Sequence, residues 1–228
     1  MDAKQLFYTT LNISIIVQII TAIIQLGAFF VKIPVHYYLI RQLFILDLIV
    51  QLIEGSFYFW LAYNVSKVLN VTPKRYIDWV ITTPTMLITL MMYLIYLNKK
   101  VENQTQELEI FKLWKENSIV FITVLLLNWL MLLFGYLGEM RIIPALLGAC
   151  LGFVPFLMYY YIIYVKFVNQ TTTSGHLLFW YFFFFWSLYG FVSVMPYYVK
   201  NTCYNVLDLF SKNFFGIVLS YMILSGLY

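Results

Sequence analysis

Charge is what this sequence most lacks. Of its 228 residues only 11% are charged, against about 25% in an ordinary soluble domain. A surface so poor in charge is not built for water. Histidine and cysteine are scarce as well, two of each. His36 and His176 lie at helix starts and form no metal-ligand set with each other or with the cysteines. Cys150 and Cys203 fall in or at the edge of apolar runs, and small core residues are the expected reading rather than a disulfide. The net charge of +4 is spread along the chain with no dense basic patch, so nucleic acid is not an expected partner.

In place of charge there are apolar runs. Hydrophobic residues make up 63% of the chain and aromatics 21%. Runs of about 20 apolar residues are the signature of membrane-spanning helices. Seven are expected, at roughly 9–31, 36–63, 74–97, 117–138, 142–165, 176–199 and 203–226. They fill a single all-α domain over 1–228 and leave no soluble domain, which argues against a soluble enzyme. The first run is too long, and lacks the small-residue site, for a cleaved signal peptide. The cluster from Trp180 to Trp186 reads first as lipid-facing bulk.

Connections are short except 98–116. Seven spans put the two termini on opposite sides. The odd-numbered loops hold Lys32, nearby Arg41, Lys99, Lys100, Lys112, Lys115 and Lys166; the other side offers Lys4, Lys67, Lys74, Arg141 and Lys200. The positive-inside rule then expects the C-terminus in the cytoplasm and the N-terminus outside. The glycosylation sequon at Asn103 falls in the cytoplasmic loop and is read as a chance match.

The few ionisable residues inside the spans matter most: Asp47, Glu54, Asp78, Asp208 and Lys212, with Arg75 near one end of the third span. A charge in hydrocarbon costs roughly 2.5–3.5 kcal/mol even on the gentlest scale, so such groups face the bundle interior and pair. Asp208 and Lys212 are one turn apart on one face. Arg75, Asp78, Thr82 and Thr89 form a polar stripe on an otherwise apolar helix, as an ion or proton path would need. A lysine in an apolar bundle is a nucleophile toward an aldehyde. The resulting Schiff base, if protonated, needs a carboxylate beside it. Asp78 and Asp208 supply two, and Arg75 stands close enough to hold both ionised. Trp79, Trp186 and Tyr189 would clamp a flat apolar ligand.

Arg75-Tyr-Ile-Asp-Trp-Val-Ile-Thr-Thr-Pro84, Trp186-Ser-Leu-Tyr189 and Asp208-Leu-Phe-Ser-Lys212 resemble the third, sixth and seventh helices of microbial rhodopsins. Leu133-Phe-Gly-Tyr-Leu-Gly-Glu139 resembles the turn after the fourth helix of proteorhodopsins. The resemblance runs through all seven spans. It implies a seven-transmembrane-helix bundle carrying covalently bound all-trans retinal on Lys212. Asp78 would be primary counterion and proton acceptor, Asp208 second counterion and Arg75 an outward gate. Trp79, Thr83, Met86, Trp186 and Tyr189 would line the retinal, and Tyr58 would bond to the counterion group. A lipid bilayer, protons or small cations, and further copies in a homo-oligomer (pentamer or trimer) are the implied partners.

The departures from that pattern direct the functional reading. Thr89 stands where the pumps carry a proton-donor carboxylate. No acidic residue occurs between Met195 and Asn205, where a release pair would be, and Gly190 replaces a proline. Asp47 and Glu54 appear on the second span, seven residues apart on one face. Asp47 is expected beside Thr89, and Glu54 near the Schiff base where channelrhodopsins carry a gating glutamate. This second-helix pattern is similar to that of rhodopsins encoded by giant viruses. A light-gated cation channel is the leading expectation, an outward proton pump the second and a sensory photoreceptor the third.

Overall fold

The computed structural model describes residues 2–102, 104–105, 108–169 and 171–227. Asn103, the acceptor of the sequon, lies outside them. The described residues form seven helices long and apolar enough to cross a membrane, and no strand among them. They are α1 Ala3–Phe29, α2 Val35–Asn64, α3 Thr72–Val101, α4 Ile110–Glu139, α5 Ala145–Val168, α6 Thr173–Val192 and α7 Tyr197–Ser225.

Local chemistry sets the ends. Asp2 accepts the Gln5 N–H at 2.6 Å and starts α1, six residues before the apolar run suggests. Thr172 does the same for α6 through the Gly175 N–H, at 3.2 Å. Such side-chain oxygens satisfy first-turn donors that have no partner inside the helix. Gln42 on α2 accepts the Ile110 N–H at 2.9 Å and starts α4 seven residues early. The helix then bends at Asn117, whose φ of −116° is not helical. The expected long loop 98–116 is therefore mostly helix, because α3 also runs on to Val101.

The boundary between the last two spans differs most from expectation. α6 ends at Val192 and α7 begins at Tyr197, so 193–199 is not the tail of the sixth span. Pro196 is the cause. Its ring disfavours helical backbone in the residue before it, and it lacks the N–H a continuing helix would use. The apolar run hid this break.

α3 is the most enclosed helix, with two thirds of its apolar window buried, whereas α4 and α6 bury 28%. The ordering follows from cost. The helix carrying Arg75, Asp78, Thr82 and Thr89 cannot face lipid, and all four are at most 3% exposed. The aromatic cluster on α6 divides: Trp180 and Phe184 face outward, while Phe182 and Trp186 are buried. Both cysteines are free, and Cys150 is exposed rather than in the core.

Candidate functional site

α7 is not a regular helix where it matters. Leu209–Asn213 form a π turn that contains Lys212. A π turn widens the helix locally and is common at functional sites. Tyr181 on α6 donates its hydroxyl to Phe210 O at 2.8 Å, satisfying a carbonyl inside that turn. Lys212 thereby points into the bundle, 4% exposed.

Three carboxylates converge on its ammonium. Lys212 Nζ lies 2.5 Å from Asp78 Oδ2, 3.8 Å from Asp208 Oδ1 and 3.9 Å from Glu54 Oε1. Helices α2, α3 and α7 thus each bring one acid to a single amine. Asp208 is the best partnered. Its Oδ2 accepts from the Tyr58 hydroxyl at 2.8 Å and from Arg75 at 3.1 Å, and its Oδ1 from the Tyr189 hydroxyl at 2.7 Å. Tyr189 also meets Ser211 Oγ at 2.7 Å. Glu54 is the opposite case: fully buried, with neither carboxyl oxygen hydrogen-bonded.

Arg75 bonds directly to one of the two aspartates. Its ion pair is with Asp208; its other bonds go to Asn201 at 3.1 Å, Asn205 at 2.5 Å and the Tyr58 hydroxyl at 3.5 Å. The guanidinium presents several donors in a fixed plane, and that plane is turned toward α7. Asp78 therefore meets Lys212 directly, and its Oδ1 has no hydrogen-bond partner. Thr82 is buried one turn on, donating to Asp78 O at 3.0 Å.

Asp47 is not beside Thr89 in hydrogen-bonding terms. Its Oδ2 accepts from Gln25 of α1 at 2.6 Å, and Thr89 donates to Thr85 O within its own helix. Gly216 of α7 lies against this pair: a Cβ there would run into Gln25 Nε2 and Asp47 Oδ2. Between Asp47 and Glu54 along α2 sits Gln51, in a buried amide cluster. Asn213 donates to Gln18 Oε1 and Gln51 Oε1, both at 3.1 Å. Gln18 donates back to Asn213 Oδ1 at 3.2 Å, and Gln51 to Gln18 Oε1 at 2.5 Å.

Reading the sequence for charges alone missed these amides. A signal was there. Thr10, Ser14, Gln18, Thr21 and Gln25 recur at three- and four-residue spacing on α1, and all are buried. That is one helical face. Asn128 was missed too; it donates to Thr83 Oγ1 at 2.8 Å.

On the other side of Lys212 a cleft opens, lined by Trp79, Thr83, Met86, Trp186, Tyr189 and Lys212 among others. Its far wall is thinned by Gly148 and Gly152; a Cβ on Gly148 would come within 2.8 Å of Phe134 O. An elongated apolar group ending in a reactive carbon at Lys212 fits this shape. The unbonded Asp78 Oδ1 and Glu54 oxygens beside the amine fit a cation held there.

Comparison with known proteins agrees with the geometry. No curated protein sequence matches this chain, but solved structures do. A viral rhodopsin, OLPVRII, is 27% identical with a TM-score of 0.79, over 98% of this chain and 99% of that one. Xanthorhodopsin, described as a light-driven ion pump with dual chromophore, is 16% identical with a TM-score of 0.74, over 98% and 94%. The rhodopsin of Exiguobacterium sibiricum is 16% identical with a TM-score of 0.70, over 99% of both chains. The profile of the family described as bacteriorhodopsin-like protein matches residues 9–226. The chain therefore belongs to the bacteriorhodopsin-like family, the seven-helix microbial rhodopsins, whose members carry retinal on a lysine.

Proposed function

We propose that this protein is a light-gated cation channel with all-trans retinal on Lys212. The observation that carries the reading is the polar seam between α1, α2 and α7. Toward the N-terminal face it holds Ser14, Tyr58, Asn205 and Asp208, and at the level of Lys212 it holds Glu54. Toward the opposite face it holds Gln18, Gln51, Asn213, Gln25 and Asp47. All are buried. A cation crossing the bilayer needs oxygens to replace its water, and rings of carboxylates select its sign. Burying so many polar groups in a membrane protein is otherwise costly. The likeness to a viral rhodopsin at 27% identity supports the same branch of the family.

In this reading Trp79, Thr83, Met86, Trp186 and Tyr189 fix the orientation of the retinal and keep water from it. When bound, retinal supplies light absorption and a light-driven change of shape at Lys212. Asp78, with Thr82 behind it, holds the negative charge nearest Nζ and receives its proton. Asp208, kept in place by Arg75, Tyr58 and Tyr189, holds a second charge that stays put. Arg75 closes the seam on the N-terminal side. Glu54, fully buried and 3.9 Å from Lys212 Nζ, is placed to respond when the charge at Lys212 changes, which makes it the gating carboxyl. Asp47 collects cations or protons from the other face. The lysine and arginine distribution supports a cytoplasmic C-terminus, and the protein works in the bilayer as a homo-oligomer, a pentamer or trimer.

A proton pump is the second reading, favoured by the direct 2.5 Å contact of Asp78 with Lys212, the geometry of a proton acceptor. Photocurrent against voltage separates the two. A current that reverses with the cation gradient supports the channel; one that stays outward at every voltage overturns it. Glu54→Gln should change the selectivity or gating of that current, and Asp47→Asn its size. Wild-type currents in both variants would remove the seam from the mechanism.

A further inference from the structure

Beyond Arg75, toward the N-terminal face, lies an ion pair that none of these roles uses. Lys200 stands in the first turn of α7, and its Nζ is 2.6 Å from Glu139 Oε2 at the last residue of α4. The two side chains are only 11% and 8% exposed. Glu139 Oε1 also accepts from Asn70 Nδ2 at 3.2 Å. Asn70 belongs to the α2–α3 connection, and its Oδ1 accepts the Thr72 N–H at 3.0 Å.

Lys200 and Asn201 are consecutive and face different neighbours. Lys200 reaches α4. Asn201 reaches α3, donating to Thr72 Oγ1 at 2.9 Å and accepting from Arg75 Nε at 3.1 Å. The seating of one helical turn therefore decides both contacts. Pro196 precedes that turn and leaves no helix before it to hold it.

The charges are placed against their own helices. A cation is disfavoured at a helix N-terminus and an anion at a C-terminus, because the peptide dipoles oppose them there. Lys200 and Glu139 each sit at the wrong end of their own helix. Each faces the favourable end of the other's. The arrangement is thus favourable when α4 and α7 are docked and unfavourable in both when they part.

We propose that Glu139 and Lys200 form a latch that seats the first turn of α7 and, through Asn201, positions Arg75 on Asp208. They are positioning residues, acting on the Lys212 site through Arg75. The optical consequence rests on the function proposed above; the mechanical one does not.

Hydrogen exchange on the retinal-free protein reads the latch itself. Glu139→Gln and Lys200→Met should speed exchange over residues 197–205. Asn70→Asp, an exposed position, should do so more mildly, because it sets a like charge beside Glu139 yet keeps the Thr72 cap. The reversed pair, Glu139→Lys with Lys200→Glu, should restore slow exchange. The retinal-loaded protein then reads the positioning. Both single variants should shift the visible band and change the late photocycle rate, roughly 2- to 30-fold for a coupling of this kind, and the reversed pair should undo both. Unchanged exchange in the singles and in Asn70→Asp overturns the latch. Faster exchange with an unmoved band and photocycle overturns the positioning role. A wild-type protein with no visible band overturns the proposed function, and the exchange result still decides the latch.

Discussion

The two sides of this bundle are alike where they meet lipid and opposite where they meet each other. The buried face of α1 is Thr10, Ser14, Gln18, Thr21 and Gln25 with a few apolar neighbours, and that of α2 includes Asp47, Gln51, Glu54 and Tyr58. The buried face of α6 includes Phe179, Phe182 and Trp186, and that of α5 includes Gly148, Gly152, Phe156, Tyr159 and Tyr160. One side is held by hydrogen bonds between side chains, the other by ring packing, such as Phe156 on Tyr160 at 4.8 Å and Phe179 on Tyr160 at 5.6 Å. Polar groups can exchange partners or admit water with little rearrangement. Packed rings and glycines define a fixed shape. The contrast separates a side suited to ions from a side suited to an apolar chromophore, with Lys212 at the join.

Removing the join tests the contrast most severely. Lys212→Ala should abolish the visible band of the protein supplied with retinal. A covalent chromophore surviving in that variant would move the site elsewhere.

Asp78→Asn should shift the band to the red. The carboxylate lies 2.5 Å from Nζ and stabilises positive charge there in the ground state, so its loss narrows the gap to the excited state. Absorption spectra at neutral pH check this. An unmoved band would pass the counterion role to Asp208.

Gly216→Ala probes the polar side without touching the chromophore cleft. The added methyl would press on Asp47 and Gln25, and overpacking of this kind costs about 1–3 kcal/mol. Thermal unfolding should show the loss, and photocurrents should fall while the visible band stays in place. A band that moves with the current would mean the two sides are not separable.

Met86→Gln acts on the aromatic side and should have the smallest effect. Met86 is buried in the cleft wall and offers a polarisable sulfur without a donor. The wild-type protein should absorb in the green, and the amide should move the maximum toward the blue while leaving currents unaltered. A blue wild-type maximum would reject the assignment.

Much of this was legible in the residues. Asp208 and Lys212 one turn apart, and the stripe from Arg75 to Thr89, follow from helical spacing alone. The amide face of α1 was equally periodic, but uncharged residues are cheap enough to bury that a search for charges passes over them. The start of α7 was written in Pro196 and masked by the apolar residues around it.

Sequence by itself determined that seven helices are long and apolar enough to cross a membrane and which face of α2, α3 and α7 turns inward. Both follow from repeated local costs: unpaired backbone in lipid, and charge in lipid. Only the tertiary structure decided which inward groups meet. Glu54 and Asp78 meet Lys212, Gln25 rather than Thr89 meets Asp47, Arg75 turns to Asp208, and Glu139 reaches Lys200 across 61 residues of chain. Such partners depend on the rotation, tilt and depth of two helices at once, and no period within either helix encodes that.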